Sequence, residues 1–262
     1  MKKLIVIIIL GFAAAPAMAD FTVEYVDVNP GQSIRIVSTG IDGRVTAGQY
    51  QVDIQGDTGD IIGAPGVVNT FCIDLWDYAP VGVEASYTIK PLDQTPDLGA
   101  GPMGDERAGY LATLLDKYWD DNNWADSASR TIDGTQYTAD TFAAALQVAV
   151  WEIVDEGNTY GSTPDPVDTD DWGAKTGDFH VVTYTYSGIS NTVATLANKM
   201  LKYVADTGPS GYSNYRGITN TTDDCHYQDY IVRVQAPVPA PAAVLLGIIG
   251  FSAAGIKLRK HS

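Results

Sequence analysis

The run Phe142-Ala143-Ala144-Ala145-Leu146-Gln147-Val148-Ala149-Val150 constrains the fold of this chain more than any other segment. At helical spacing it is apolar on every side apart from Gln147, and a helix of that kind must be enclosed by other elements. The helix runs from about Ala139 to Val154, with Asp140 or Thr138 as its cap and Gly157 beyond its end. Gln147 is then an anomaly, because a buried carboxamide needs hydrogen-bond partners. Backbone groups of a neighbouring strand would satisfy it, and the alanines at 143, 144, 145 and 149 allow a strand to approach. Trp151, four residues on, shares a helix face with Gln147.

The remaining pattern supplies the wrapping. Phe21 to Val28, Ser33 to Val37 and Arg44 to Ile54 alternate or cluster β-branched and apolar residues. Val67 to Leu75 is a further strand carrying Cys72, with Ser86 to Pro91 as its hairpin partner or neighbour. A helix opens near Gly104-Asp105-Glu106, places Ala108, Leu111, Ala112, Leu115 and Tyr118 at helical spacing, and ends at Asp120 to Asn123. Another, from about Ser190 to Ala205, carries an apolar stripe of Val193, Leu196, Ala197, Met200, Leu201 and Val204, and Tyr227 to Gln235 is the final strand. The expected class is α+β: a β-rich sandwich or barrel with an inserted helical subdomain.

Both ends read as addresses rather than as parts of the fold. Residues 1–19 carry Lys2 and Lys3, an apolar run from Leu4 to Ala15, and Ala17-Met18-Ala19, the form of a signal peptide cleaved between Ala19 and Asp20. Residues 237–262 give a Pro-rich spacer, Pro237-Val238-Pro239-Ala240-Pro241, an apolar stretch from Ala242 to Ile256, and a basic tip with Lys257, Arg259 and Lys260. The apolar stretch is shorter than the roughly 20 residues of a spanning helix, and snorkelling Lys and Arg side chains extend it. The basic tip belongs on the cytoplasmic side. This tail resembles the PEP-CTERM sorting signals of Gram-negative bacteria, in a variant where Val238, Pro239 and Pro241 surround Ala240 instead of the usual glutamate. The resemblance implies an exosortase-like processing enzyme, transient anchorage in the inner membrane, and extracellular polysaccharide as the setting. An ordinary transmembrane anchor is the alternative, and either puts residues 20–236 at the cell surface or outside the cell.

The chain has 16 basic and 32 acidic residues, and five of the basic ones (Lys2, Lys3, Lys257, Arg259, Lys260) lie in the two ends with none of the acids. The exported part therefore holds 11 basic against 32 acidic residues, a net charge of −21. That balance excludes nucleic acid and anionic lipid as partners.

Two cysteines are present. Cys72 lies in an aromatic and apolar run, Phe71-Cys72-Ile73, and Cys225 lies in a polar stretch, Thr221-Thr222-Asp223-Asp224-Cys225-His226. In an exported domain a Cys72–Cys225 disulfide is one outcome. The other comes from a resemblance. Phe71-Cys72-Ile73, followed 75 residues later by Leu146-Gln147-Val148-Ala149-Val150-Trp151, resembles the paired motifs of the bacterial thioester domains of surface adhesins, also called Cys-Gln anchor domains. The resemblance implies a crosslink between Cys72 and Gln147, formed when the Cys72 thiolate attacks the Gln147 carboxamide and expels ammonia. Phe71, Trp76 and Trp151 would shield the crosslink from water until an amine on a target surface attacks the same carbonyl and releases the thiol. No cofactor or metal is implied, and the chain would be an adhesin rather than an enzyme.

Other candidates carry less. Asp165, Asp168, Asp170 and Asp171 form an acidic cluster without the spacing of an EF-hand loop, and read as a solvated surface loop. His180 and His226 would assist proton transfer to the leaving thiolate, or be structural. Two functions stand side by side: covalent adhesion or anchoring through a Cys72–Gln147 thioester, and a passive surface or matrix protein held by a Cys72–Cys225 disulfide.

Overall fold

A computed structural model describes residues 21–38, 40–58, 62, 65–96, 101–119, 129–155, 173–174, 178–182, 188–222 and 227–234. Ala19, Asp20, Val238, Pro239, Pro241, Arg259 and Lys260 lie outside the described residues. None of the described helices is long and apolar enough to cross a membrane.

Strands β1 (Phe21–Ser38) and β2 (Ile41–Gln55) form a long hairpin. The two strands expected at Phe21 to Val28 and Ser33 to Val37 are one, because register shifts at Tyr25/Asp27 and Val28/Gly31 absorb Asn29 and Pro30 without ending the pairing. β3 (Gly66–Cys72) pairs with β2, and β4 (Glu84–Pro91) pairs with the first residues of β1. β8 (Tyr215–Asn220) and β9 (Tyr230–Arg233) close the gap between β4 and β3, giving an antiparallel six-stranded barrel in the order β1-β2-β3-β9-β8-β4. The alternative of a sandwich is thereby replaced by a closed barrel, which leaves no free edge among these six strands. β4 is not the neighbour of β3, because residues 73–83 cross the end of the barrel and deliver it to the far side of β1.

The helices α1 (Gly104–Tyr118), α2 (Ala139–Asp155) and α3 (Gly188–Thr207) all lie between β4 and β8 in the chain. Between them fall the small hairpin β5 (Arg130–Ile132) and β6 (Thr135–Tyr137), and β7 (His180–Val181), which adds to β1. The helices share one apolar core with the barrel instead of building a separate one. α2 is the axis of that core: every residue from Phe142 to Asp155 is buried. Thr138 caps it, accepting the Thr141 N–H at 3.2 Å. At the other end Arg107 of α1, itself 3% exposed, donates to the Ile153 and Val154 carbonyls at 2.9 and 3.3 Å, which answers the orphaned acceptors of a helix C-terminus.

Candidate functional site

The site lies where β3 runs out. β2 and β3 pair from Ile54–Gly66 to Tyr50–Thr70 and then part, although β3 continues to Cys72. Continuing that register would set Gly48 opposite Cys72, but Gly48 is drawn against β1, where it pairs with Gly31. A Cβ on Gly48 would stand 2.3 Å from the Pro30 carbonyl oxygen and 2.5 Å from Gly31 Cα, so only glycine permits this approach. Cys72 keeps β9 on one side, where it pairs with Tyr230 and where Ile73 N–H bonds to Asp229 C=O at 3.0 Å. Its other side lacks a β2 partner.

Gln147 of α2 fills that side. Its Oε1 accepts the Cys72 backbone N–H at 2.9 Å, and its Nε2 donates to the Cys72 carbonyl at 2.8 Å. The carboxamide therefore stands in for the missing peptide group and extends the sheet by one pairing. The burial problem posed by the sequence is solved by a strand backbone, and the strand residue is Cys72 itself. Both residues are 0% exposed. The alanines at 143, 144, 145 and 149, all fully buried, keep α2 thin enough to come this close.

The sulfur is held on the same residue. Cys72 Sγ donates to the Asp74 carbonyl at 2.9 Å and accepts the Asp74 N–H at 3.4 Å. Burial, followed by the charge of Asp74, pushes the thiol pKa up, opposed by the Asp74 backbone N–H and the Trp151 indole. Trp151 is 1% exposed, and its Nε1 finds no conventional acceptor among the described residues, being turned towards the sulfur. Cys72 is a buried free thiol; Cys225 and His226 lie outside the described residues, as do Asp165, Asp168, Asp170 and Asp171.

Around the sulfur, the barrel end is packed with phenols. Tyr50 stacks at a tilt on Tyr25 and Tyr230, with ring centroids 5.9 and 5.7 Å apart, and Tyr230 lies 6.3 Å from Tyr87. Burial lifts the pKa values of Tyr50, Tyr87 and Tyr230, and the Cys72 charge adds to each. Residues 73–83 cover the end of the barrel. Trp76 anchors this cover: its Nε1 donates to Asp155 Oδ1 of α2 at 3.0 Å, while the other Asp155 oxygen accepts from Ser38. Further along, Tyr78 packs edge-on against Tyr227 at 5.5 Å, and Val81 bridges to Tyr25.

Of the residues singled out in the sequence, Cys72, Gln147 and Trp151 meet in one place and Trp76 holds the cover over it. Phe71 faces away, because adjacent strand residues point to opposite faces; its ring meets Trp119 edge-on at 5.3 Å. His180 is on β7, opposite Val37. The structure adds three buried acids that lie outside the sequence motifs, Asp74, Asp155 and Asp229. Asp74 carried a usable signal, as the sole acid in the apolar run Phe71-Cys72-Ile73-Asp74-Leu75-Trp76. A separate cavity of about 260 Å³, lined by Val68, Trp119, Val232 and Arg233 among others, sits on the flank of β3 and β9 and includes neither Cys72 nor Gln147.

Comparison of the chain with known protein families, characterised proteins and solved structures finds no match.

Proposed function

We propose that this chain is an exported surface protein whose Cys72 and Gln147 condense to an internal thioester, a stored acyl donor for bonding to amines on a target surface. The observation that carries the reading is the paired hydrogen bond between the Gln147 carboxamide and the Cys72 backbone. It fixes the electrophilic carbon against the residue that bears the nucleophile, so rotation about Cys72 χ1 is the main freedom left between sulfur and carbonyl. Such pre-organisation turns a poor reaction between a thiol and an amide into an effectively intramolecular one.

The same contact supplies electrostatic help. Cys72 N–H already points at Gln147 Oε1, the atom that becomes negative when the carbonyl is attacked. Attack forms the C–S bond, breaks the C–N bond and releases ammonia. A later amine attack forms a new C–N bond and returns the Cys72 thiol. Full burial of both residues restrains hydrolysis, the competing reaction. An amine reaches the bond by displacing the covering loop, and the Trp76–Asp155 hydrogen bond is one of the contacts that resist this.

Export through residues 1–19 and sorting through the PEP-CTERM-like tail at 237–262 complete the proposal, with an exosortase-like enzyme acting on the tail and the inner membrane holding it before processing. A passive surface protein with a Cys72–Cys225 disulfide is the second reading, and the two cysteines of the exported chain favour it. Methylamine separates them. On the thioester reading, the folded domain gains a methylamide at Gln147, located by peptide mass spectrometry, and exposes the Cys72 thiol. Labelling that persists in Cys72→Ala contradicts that reading.

A further inference from the structure

The segment that covers the barrel end turns an apolar face to solvent. Among the described residues six large apolar side chains are exposed, and four of them, Val26, Tyr78, Val81 and Val83, lie on residues 73–83 and the adjoining bulge of β1. Backbone contacts pin this strip to both sides of the barrel mouth. Gln228 N–H donates to the Tyr78 carbonyl at 3.3 Å, Gly82 N–H donates to the Tyr25 carbonyl at 3.2 Å, and Val81 bridges to Tyr25. Exposed apolar side chains gathered within a polar rim mark an interaction surface. The rim here has one sign. Glu24 of β1 lies directly opposite Glu84 of β4, so the two side chains share the outer face. A Cβ on Gly82 would stand 3.9 Å from Glu24 Oε1, which sets that carboxylate beside Val81 and Val83. Asp27 and Asp77, in the same two segments, add to it. Like charges directly opposite across two strands repel, and no cation pairs with Glu24 or Glu84 among the described residues. Residues 21–34 and 66–89 contain no Lys, Arg or His at all.

We propose that this outer face is the docking surface for the target, and that its occupant is a protein segment carrying lysines beside apolar side chains. What docking achieves rests on the thioester reading above; what docks follows from the surface itself. Lysine ammonium groups sit against Glu24 and Glu84 and relieve their repulsion, while the apolar neighbours of those lysines cover Val26, Tyr78, Val81 and Val83. A sugar amine supplies the charge without the apolar body. An acidic segment is repelled by an exported domain of 11 basic and 32 acidic residues. Residues 73–83 are at once the docking face and the cover over Cys72, so the binding energy is released where the cover has to move. The lysines that dock keep their protons, and the attacking amine is a neighbour on the same segment, held at raised effective concentration.

The test separates docking from bonding by using the exported domain with Cys72→Ala, in which no thioester can form. Three N-acetylated peptides of equal length are titrated into it by calorimetry: one of lysine and leucine, one of lysine and serine, and one of glutamate and leucine. The lysine-leucine peptide is expected to bind at least about tenfold more tightly than either of the others. Val81→Ser with Val83→Ser should weaken its binding by about tenfold. Glu24→Gln with Glu84→Gln should weaken it severalfold and remove most of its salt dependence. None of these four residues is buried, and if circular dichroism shows one variant misfolded, the other variant and the peptide comparison decide. In a wild type that carries the mass deficit of about 17 Da, both pairs of changes should slow amide formation with the lysine-leucine peptide and leave that with methylamine unchanged. No binding of the lysine-leucine peptide, equal binding of the lysine-serine peptide or of a glucosamine oligosaccharide, or full affinity in both folded variants overturns the docking surface and leaves the thioester intact. A wild type without the mass deficit overturns the thioester, and the titration of Cys72→Ala then still decides the docking surface.

Discussion

Replacing Gln147 by methionine in a Cys72→Ala background isolates the hydrogen-bonded contact from any crosslink. Methionine has nearly the volume of glutamine, and volume-conserving changes in a core are otherwise well tolerated. The loss is then mainly that of two acceptor–donor pairs, Cys72 N–H to Oε1 and Nε2–H to Cys72 C=O, at 2.9 and 2.8 Å. Both backbone groups become orphans in a site that is 0% exposed, and β2 is too far committed to β1 to take them up. Each orphan costs about 1–3 kcal/mol, so the double variant should be about 2–6 kcal/mol less stable than Cys72→Ala alone. For a domain of this size that corresponds to a fall in Tm of at least about 5 °C. Paired urea and thermal melts of the two proteins measure the difference directly. A difference below about 1 kcal/mol would mean that Gln147 does not clamp the Cys72 backbone, and the pre-organisation argument would fail with it.

Gly48→Ala should destabilise the fold by about 3 kcal/mol or more, since the added Cβ meets backbone atoms of Pro30 and Gly31 that cannot swing aside; a chemical melt checks it, and a neutral result would mean the β1–β2 bulge is pliable. Trp76→Phe removes the donor to Asp155 and leaves that buried acid short of a partner, at a cost of about 1–3 kcal/mol; on the thioester reading it also shortens the lifetime of the mass-deficient form in water. Asp74 and Asp155 are both held above the usual carboxylate range, chiefly by burial. A raised folded pKa means the folded state binds the proton more tightly, so this stability is complete below the unfolded value of about 3.9 and is lost as pH rises through the folded values. Melting temperature should therefore fall as pH rises above the unfolded carboxylate value of about 3.9, and Asp74→Asn should flatten the fall.

How much of this could be read from the sequence depended on whether the information was local. The period-2 pattern of β1 and β2 and the all-round apolar face of α2 are local properties, and their elements form where the pattern sets them. β3 stops at Cys72 instead of Leu75, because Asp74 turns back onto the Cys72 sulfur and the apolar residues beyond it cover the barrel end. β8 has no clear pattern in the sequence: it is six residues long and is interrupted by Gly217, whose missing Cβ leaves room for Thr95, where a Cβ would lie 2.2 Å from the Thr95 methyl. Closure of the barrel rests on pairings between residues far apart in the chain, Phe71 with Ile231 and Phe21 with Tyr87, which no local window contains.

The candidate site divides in the same way. Cys72, Gln147 and Trp151 were legible as residue types out of place or in a recognisable order. That the carboxamide would meet the backbone of Cys72 itself depends on β2 leaving β3 at Tyr50, and that depends on the contact of Gly48 with Gly31. The buried acids Asp74, Asp155 and Asp229 come from a loop, a helix end and the lead-in to β9, and only the fold brings these segments to one end of the barrel.

The central claim is a covalent bond, and the intact mass of the unreduced exported domain tests it most directly. The thioester account predicts a mass about 17 Da below that of the sequence, through loss of ammonia, in the wild type and not in Cys72→Ala or Gln147→Met. A mass equal to the sequence, or about 2 Da below it as a disulfide requires, contradicts that account.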